Sequence, residues 1–290
     1  MRYEAPNSLD AAVSLLAESS GTSRILAGGT DLLIQMRGEV VTPDLLVDIK
    51  KIDEVRTIAT EDGGFRIGAA ASGAELGEHA ALKAAWPGVV EAAELIGSTQ
   101  VQGRATMGGN LCNASPAADS VPALIAANAT VDIVGPNGRR TAPVEEIPTG
   151  PGKTTLTPGE IVASFLLPAR PPRSGDAYLR MIPRTEMDIA IVGVGVNLTL
   201  DDSGTCTDAR VTLGAVAERV LLVPEAAAAL IGTKIDDAAL QNLAAAASAA
   251  CRPIDDKRGT KEYRIKVAGV LARRAAQLAL ERAALERAER

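Results

Sequence analysis

Residues 97–119 read GSTQVQGRATMGGNLCNASPAAD, and the fold turns on how this stretch is read. It holds four glycines, two threonines, two serines, two asparagines and one aspartate, with few bulky apolar residues, so it is poor core material. A backbone this small and polar suits close approach to a bound ligand. The Gly108-Gly109 pair lets the main chain reach a phosphate with no Cβ in the way. Thr106, Asn110 and Ser115 add short hydrogen-bonding side chains. Asp119 stands where a helix can begin, predicted to run from Val121 to Asn128. A helix start offers free N–H groups and the positive end of a dipole, which suits anions.

The whole chain sets the limits on that reading. Its 290 residues are enough for two or three compact units with real cores. Hydrophobic residues make up 47%, which is globular composition. Aromatics are only 2% and the net charge is −6 with no long basic stripe, which speaks against nucleic acid as a partner. No apolar run reaches the ~20 residues of a membrane span. The start, MRYEAPNSLD, has no apolar run of the secretory kind, so a cytoplasmic location is expected. Cys112, Cys206 and Cys251 are far apart, odd in number and without a C-x-x-C pair. That argues against disulfides and against a cysteine-ligated metal or iron–sulfur cluster within the chain. His79, the single histidine, is expected at a helix end, since one histidine without neighbouring ligands builds no metal site.

Outward from the central stretch, the pattern predicts an α+β protein. Ser8 to Ser20 places Leu9, Ala12, Val13 and Leu16 at helical spacing, with Ser8 as N-cap. Arg24 to Ala27 reads as a short strand. Gly28-Gly29-Thr30-Asp31 follows directly, then Leu32, Leu33 and Met36 at helical spacing. This is strand, glycine turn, helix: a second phosphate-grade loop. Leu45 to Ile49 reads as a buried strand, so residues 1 to about 55 form a small α/β unit. Val55–Thr60 and Phe65–Ala70 flank a hairpin signal at Glu61-Asp62-Gly63-Gly64. Helices are predicted at Ser72–His79 and Pro87–Ile96, and strands at Thr130–Val134 and Ile161–Leu167. The run Ala169 to Gly175 reads as a boundary, giving units of 1–173 (with parts of about 1–55 and 56–173) and 176–290. In the second unit Ile189–Leu200 alternates and Val211–Val216 is its partner. Helices follow at Glu225–Ile231, at Asp236–Ala249 and from about Thr260. The alanine-rich, charged tail LERAALERAER is expected to fray or to meet a partner.

Gly150-Pro151-Gly152-Lys153-Thr154 looks like the end of a P-loop, but Ile147 stands where that pattern needs its first glycine, and Pro158-Gly159 breaks the helix it requires. No G-x-G-x-x-G occurs, so a Rossmann fingerprint is absent. Two glycine loops remain, Ala27–Asp31 and Thr106–Asn110, and together they suit the two phosphates of a dinucleotide held by backbone N–H groups. Asp31 and Asp119 would repel a pyrophosphate at close range. They are expected to cap helices, or to accept hydrogen bonds from ligand O–H or N–H groups away from the phosphates. No side chain reads as a catalytic nucleophile, acid or base.

At these residues the chain resembles the medium, FAD-binding subunits of the molybdenum-containing hydroxylases, the CO dehydrogenase and xanthine dehydrogenase type. The resemblance spans essentially all of the chain. It rests on AGGTDLL (Ala27–Leu33), ATMGGNLCNASPAAD (Ala105–Asp119), TGPGKTTL (Thr149–Leu156) and R-x-x-x-D-I-A (Arg184–Ala190), in the expected order. It implies a PCMH-type FAD domain of two α/β subdomains and a C-terminal α/β domain with an antiparallel sheet and helices. It puts FAD contacts on Ala27, Gly28, Gly29, Thr30 and Asp31, and on Thr106, Gly108, Gly109, Asn110, Ser115 and Asp119. Arg180 matches a basic residue near the flavin that is lysine in the xanthine dehydrogenase branch. Thr30-Asp31 departs from the histidine and serine usual in the CO dehydrogenase branch, which points away from CO oxidation. The family's division of labour implies a large molybdopterin-binding subunit and a small subunit with two [2Fe–2S] clusters, in a dimer of heterotrimers. This chain then takes electrons on FAD and passes them to NAD⁺, a quinone or oxygen. The FAD is expected to be non-covalent, because His79 lies outside both loops and Cys112 falls on the phosphate side. The alternatives are a stand-alone FAD-dependent oxidoreductase of the same fold and a flavin-binding subunit without turnover.

Overall fold

The computed structural model describes residues 1–288, with side chains to residue 284. Three short parallel strands, Arg2–Glu4, Leu45–Asp48 and Ser23–Leu26, form the first sheet, with Leu45–Asp48 in the middle. All four residues of that central strand are buried, as a parallel sheet covered on both faces requires. Helix Leu9–Glu18 begins where Ser8 accepts the Ala11 N–H, and it buries Leu9, Ala12 and Val13. The expected glycine turn is present between Ser23–Leu26 and helix Leu32–Arg37.

The second sheet is antiparallel, in the order Ile58–Glu61, Gly64–Gly68, Ile161–Leu167, Thr130–Gly135, Gly138–Pro143. Its first hairpin turns at Asp62 and Gly63, both with positive φ, as a two-residue turn of the primed type demands. One face of this sheet packs Ile67, Val131, Ile133, Val162 and Phe165 against helices Pro87–Glu94 and Ser120–Ala126. The other face lends Val134, Ile161 and Ala163 to the core of the first sheet. The edge strand Gly138–Pro143 (GRRTAP) was not expected. Four of its six residues are exposed, so backbone pairing rather than apolar content holds it.

The third sheet, also antiparallel, runs Ser174–Met181, Val192–Leu200, Cys206–Gly214, Leu221–Leu222. Helices Asp237–Ala250 and Lys261–Ala288 cover it. Two strands differ from expectation. The first was not expected, and it begins at Ser174, inside the run read as a boundary. The third reaches back to Cys206, because Asp201 Oδ1 collects the Ser203 and Thr205 N–H groups and closes the hairpin tightly enough for pairing to continue.

The start of the charged tail is also corrected. Ala283 is fully buried, and Arg282 reaches Glu91 and the Asp176 carbonyl. Ala268, Ala272, Ala275, Ala276, Ala279 and Ala283 are all buried. Their small side chains let the last helix lie so close to the sheet that a Cβ on Gly175 would run into the Ala279 carbonyl. The part of the tail beyond residue 284 lies outside the described side chains. Among the described residues, no helix is long and apolar enough to cross a membrane.

Candidate functional site

The fold brings the two glycine segments into contact. Gly28 is buried, and a Cβ there would collide with the Arg104 carbonyl just before Thr106. Gln35, on the helix after the first loop, donates to Asn113 Oδ1 at 3.0 Å and ties the two segments a second time. The loop Ala27–Asp31 turns at Gly29, whose φ of +76° favours glycine. Among the described residues no acceptor meets the backbone N–H of Gly28, Gly29, Thr30 or Asp31. Asp31 is exposed and makes no side-chain cap to the helix it precedes.

The second segment differs from its reading as a loop. Met107–Cys112 is a short helix with Thr106 as N-cap, the threonine hydroxyl accepting the Gly109 N–H at 3.0 Å. Buried Met107 and Leu111, four residues apart, hold it to the core. The Gly108 N–H goes to the Ala69 carbonyl at 3.0 Å and the Asn110 N–H to the Thr106 carbonyl. The two segments are therefore unequal: the first keeps its N–H groups open, while the second has committed several of its own. Gly108 does not have positive φ, and a Cβ on it would lie 2.8 Å from Ala69 Cβ, so its bareness serves packing. A Cβ on Gly109 would meet only Thr106 Oγ1, at a tight 3.0 Å, with no backbone in its way. Ser115 Oγ accepts the Ala117 N–H at 3.2 Å and shapes the turn that follows.

Asp119 does not cap its helix. Its backbone is already helical and its side chain makes no cap bond. Asn110 Oδ1 does that work, accepting from Ser120 N at 3.1 Å and Ser120 Oγ at 2.7 Å. Asp119 is thereby released to the third sheet, where Oδ1 accepts the Tyr178 hydroxyl at 3.0 Å and Oδ2 accepts Arg180 Nη1 at 2.8 Å. The Arg180 side chain is only 6% exposed, so it is an interior cation whose charge Asp119 balances. Burial pushes the Asp119 carboxyl up, against the pull of Arg180 and Tyr178. Burial and the Asp119 charge push the Tyr178 hydroxyl well up.

Arg104, Gln35, Asn113 and Tyr178 are positioning groups that sequence reasoning passed over. For Tyr178 a signal existed: Asp176, Tyr178 and Arg180 alternate with Ala177, Leu179 and Met181, the period of a strand with one polar face. Among the described residues no group of three His, Cys, Asp or Glu side chains could hold a metal ion. The open N–H row on a loop without Cβ atoms at Gly28 and Gly29, set against a second glycine segment, fits a pyrophosphate.

Residues 1–170 match the family described as FAD binding domain in molybdopterin dehydrogenase, and residues 177–279 match the CO dehydrogenase flavoprotein C-terminal domain. The carbon monoxide dehydrogenase medium chain of Afipia carboxidovorans is 34% identical over 281 residues, 97% of each chain. The xanthine dehydrogenase FAD-binding subunit of Escherichia coli O157:H7 is 31% identical over 265 residues, 91% of this chain and 90% of that one. A solved structure, reconstituted CO dehydrogenase from Oligotropha carboxidovorans, superposes with a TM-score of 0.93 at 34% identity, over 97% of this chain and 98% of that chain.

Proposed function

We propose, since this chain belongs to the family of FAD-binding subunits of molybdopterin dehydrogenases, that it holds FAD non-covalently and serves as the electron outlet of a molybdenum hydroxylase complex. In this reading the partners are a large molybdopterin-binding subunit and a small subunit with [2Fe–2S] clusters, in a dimer of heterotrimers. Bound FAD supplies the redox chemistry that joins those clusters to an external acceptor.

This chain's residues bind, orient and tune. The observation that carries the reading is the open N–H row of Gly28 to Asp31, on a loop whose Gly28 packs against the Arg104 carbonyl. It supports a pyrophosphate held on one side by the backbone N–H groups of Gly28, Gly29, Thr30 and Asp31, with Ala27 leading into the loop and the Asp31 carboxylate turned to other ligand groups. Thr106, Gly108, Gly109, Asn110 and Ser115 line the other side, with Gly109 giving space and Gly108 keeping the segment against Ala69. Asp119 and Arg180 then mark the end where the ring lies. The division into a dinucleotide unit of 1–173 and a C-terminal unit of 176–290 belongs to the same proposal.

The test is purification of the native complex and of the chain alone. Molybdenum and iron co-purifying with the chain, and yellow FAD released into the supernatant by acid, are expected. A yellow acid pellet overturns non-covalent binding. A lone chain that turns over substrate without molybdenum or iron overturns the complex in favour of a stand-alone oxidoreductase.

A further inference from the structure

We infer that Arg170 and Asp176 are positioning residues for the flavin environment: their buried ion pair fixes the strand face that carries Tyr178 and Arg180. This rests on the FAD reading above. Strand Ser174–Met181 sends Asp176, Tyr178 and Arg180 to one side, because alternate residues share a face. Ala177, Leu179 and Met181 go to the other side, into the core of the third sheet. Tyr178 and Arg180 meet Asp119 next to the second glycine segment. Asp176 meets a different set of groups, two residues upstream.

Asp176 is 3% exposed. Its Oδ1 accepts Arg170 Nη1 at 2.9 Å, and its Oδ2 accepts the Val89 N–H at 3.2 Å. Val89 lies in the first turn of helix Pro87–Glu94, whose own N-cap, Trp86, makes no side-chain cap. A carboxylate from the third sheet thus caps a helix of the second core, at the end where the dipole favours negative charge. The fit is close, since a Cβ on Gly88 would lie 2.6 Å from Asp176 Oδ2. Arg170 stacks over the Trp86 ring with its guanidinium carbon 4.9 Å from the centroid, and it donates to the Ala85 carbonyl. From the far side Arg282, paired with Glu91, donates to the Asp176 carbonyl at 2.7 Å. The strand is held from both directions at one residue.

Stability alone does not account for this arrangement. Among the described residues no acceptor meets the buried Arg170 Nε and Nη2, and a buried donor left unmet costs about 1–3 kcal/mol. An apolar contact of the same volume avoids that cost, so a buried pair of this kind is better understood as fixing geometry. What it fixes is the strand's seat on helix Pro87–Glu94, and with it the reach of Tyr178 and Arg180 to Asp119.

The experiment uses the full chain loaded with FAD, in wild-type, Arg170→Met, Arg170→Lys and Asp176→Asn forms. Flavin content, visible absorption, midpoint potential and thermal midpoint are measured on each. Arg170→Met is expected to keep its flavin but to shift the absorption bands. It is also expected to lose about tenfold of its preference for reduced over oxidised FAD, ~30 mV for a two-electron couple. Arg170→Lys keeps a positive charge opposite Asp176 without the planar stack, and is expected to recover most of that loss. A lower thermal midpoint with unchanged spectrum and potential in Arg170→Met makes the pair an ordinary structural one and overturns the inference. If Arg170→Met does not fold, Asp176→Asn decides, with a shifted potential in favour and an unchanged one against. Wild-type chain free of flavin overturns the FAD reading and this inference together. Flavin bound equally well with the same potential in every variant overturns this inference alone.

Discussion

Gly108 and Gly109 are neighbours with different tasks. Gly108 presses on Ala69, while a Cβ on Gly109 meets only the Thr106 hydroxyl. In the proposed site, the bareness expected of the Gly108-Gly109 pair toward a phosphate therefore falls to Gly109. Gly109→Ala should leave the denaturation midpoint close to wild type, because the ~1 kcal/mol helix preference of alanine over glycine offsets the tight contact with the Thr106 hydroxyl. Its FAD affinity should fall at least about tenfold. Gly108→Ala should instead lose about 1–3 kcal/mol of stability through overpacking. Flavin content and urea unfolding of the two variants, side by side, check the assignment. The same distinction holds at Arg180. Removing it leaves Asp119 buried with only Tyr178, so Arg180→Met should cost about 3–5 kcal/mol. Adding Asp119→Asn should restore most of that stability. If the double variant is no more stable than the single one in urea, the pair is not what holds this junction.

Among the elements, the short helix Gly73–Glu78 holds the approach to the second segment. Ser72 and Glu75 form a reciprocal capping box at its start. Ser72 also bridges to Thr106, and the Gly73 N–H donates to the Ala105 carbonyl. Loss of this cap is therefore felt in the backbone that leads into the glycine pair. Ser72→Ala is expected to cost ~1 kcal/mol and to speed amide exchange at Gly73 and Gly109 more than elsewhere. Uniform exchange across the chain would show that the cap does not act on the site. Helix Gly73–Glu78 was expected in advance, over Ser72–His79. The helix Met107–Cys112 was not, because two glycines in six residues hide a helix that a threonine cap and two buried side chains impose.

Over the whole molecule, carboxylates held by arginines set the acid limit. Arg140, through a two-pronged hydrogen bond, holds the Glu160 carboxyl down at about 2, with the Thr157 N–H adding to the effect. Arg258 is the main cause that holds Asp188 at about 2. Both values lie below the ordinary range of ~3.9 to ~4.3. A depressed carboxylate lends its stability fully above the unfolded value, and loses it as pH falls through the folded one. The thermal midpoint should therefore hold above about pH 5 and drop progressively toward about pH 2. Glu160→Gln should flatten that drop and also lower the midpoint at neutral pH, where the Glu160 carboxylate lends its stability in full. A variant curve parallel to wild type across the acid range would remove Glu160 from the account.

The local chain determined what local forces can determine. The strand Ile161–Leu167, the hairpin at Asp62-Gly63, the cap at Ser8 and the glycine turn at Gly28-Gly29 each depend on residues within a few positions, and all were readable in order. The family-bearing segments belong to the same class, because a backbone that must stay bare shows itself as glycine. Only the tertiary structure decided which polar groups meet. Asp119 lies 59 residues from Tyr178 and 61 from Arg180, and Asp176 lies 87 from Val89. An aspartate before a helix reads as a cap whether or not another side chain takes that role, and here Asn110 takes it from within the glycine segment. Nor could the edge strand Gly138–Pro143 or the buried alanine face of the last helix be read in advance. Polar and small residues carry little burial energy of their own, so the surface they pack on decides where they go.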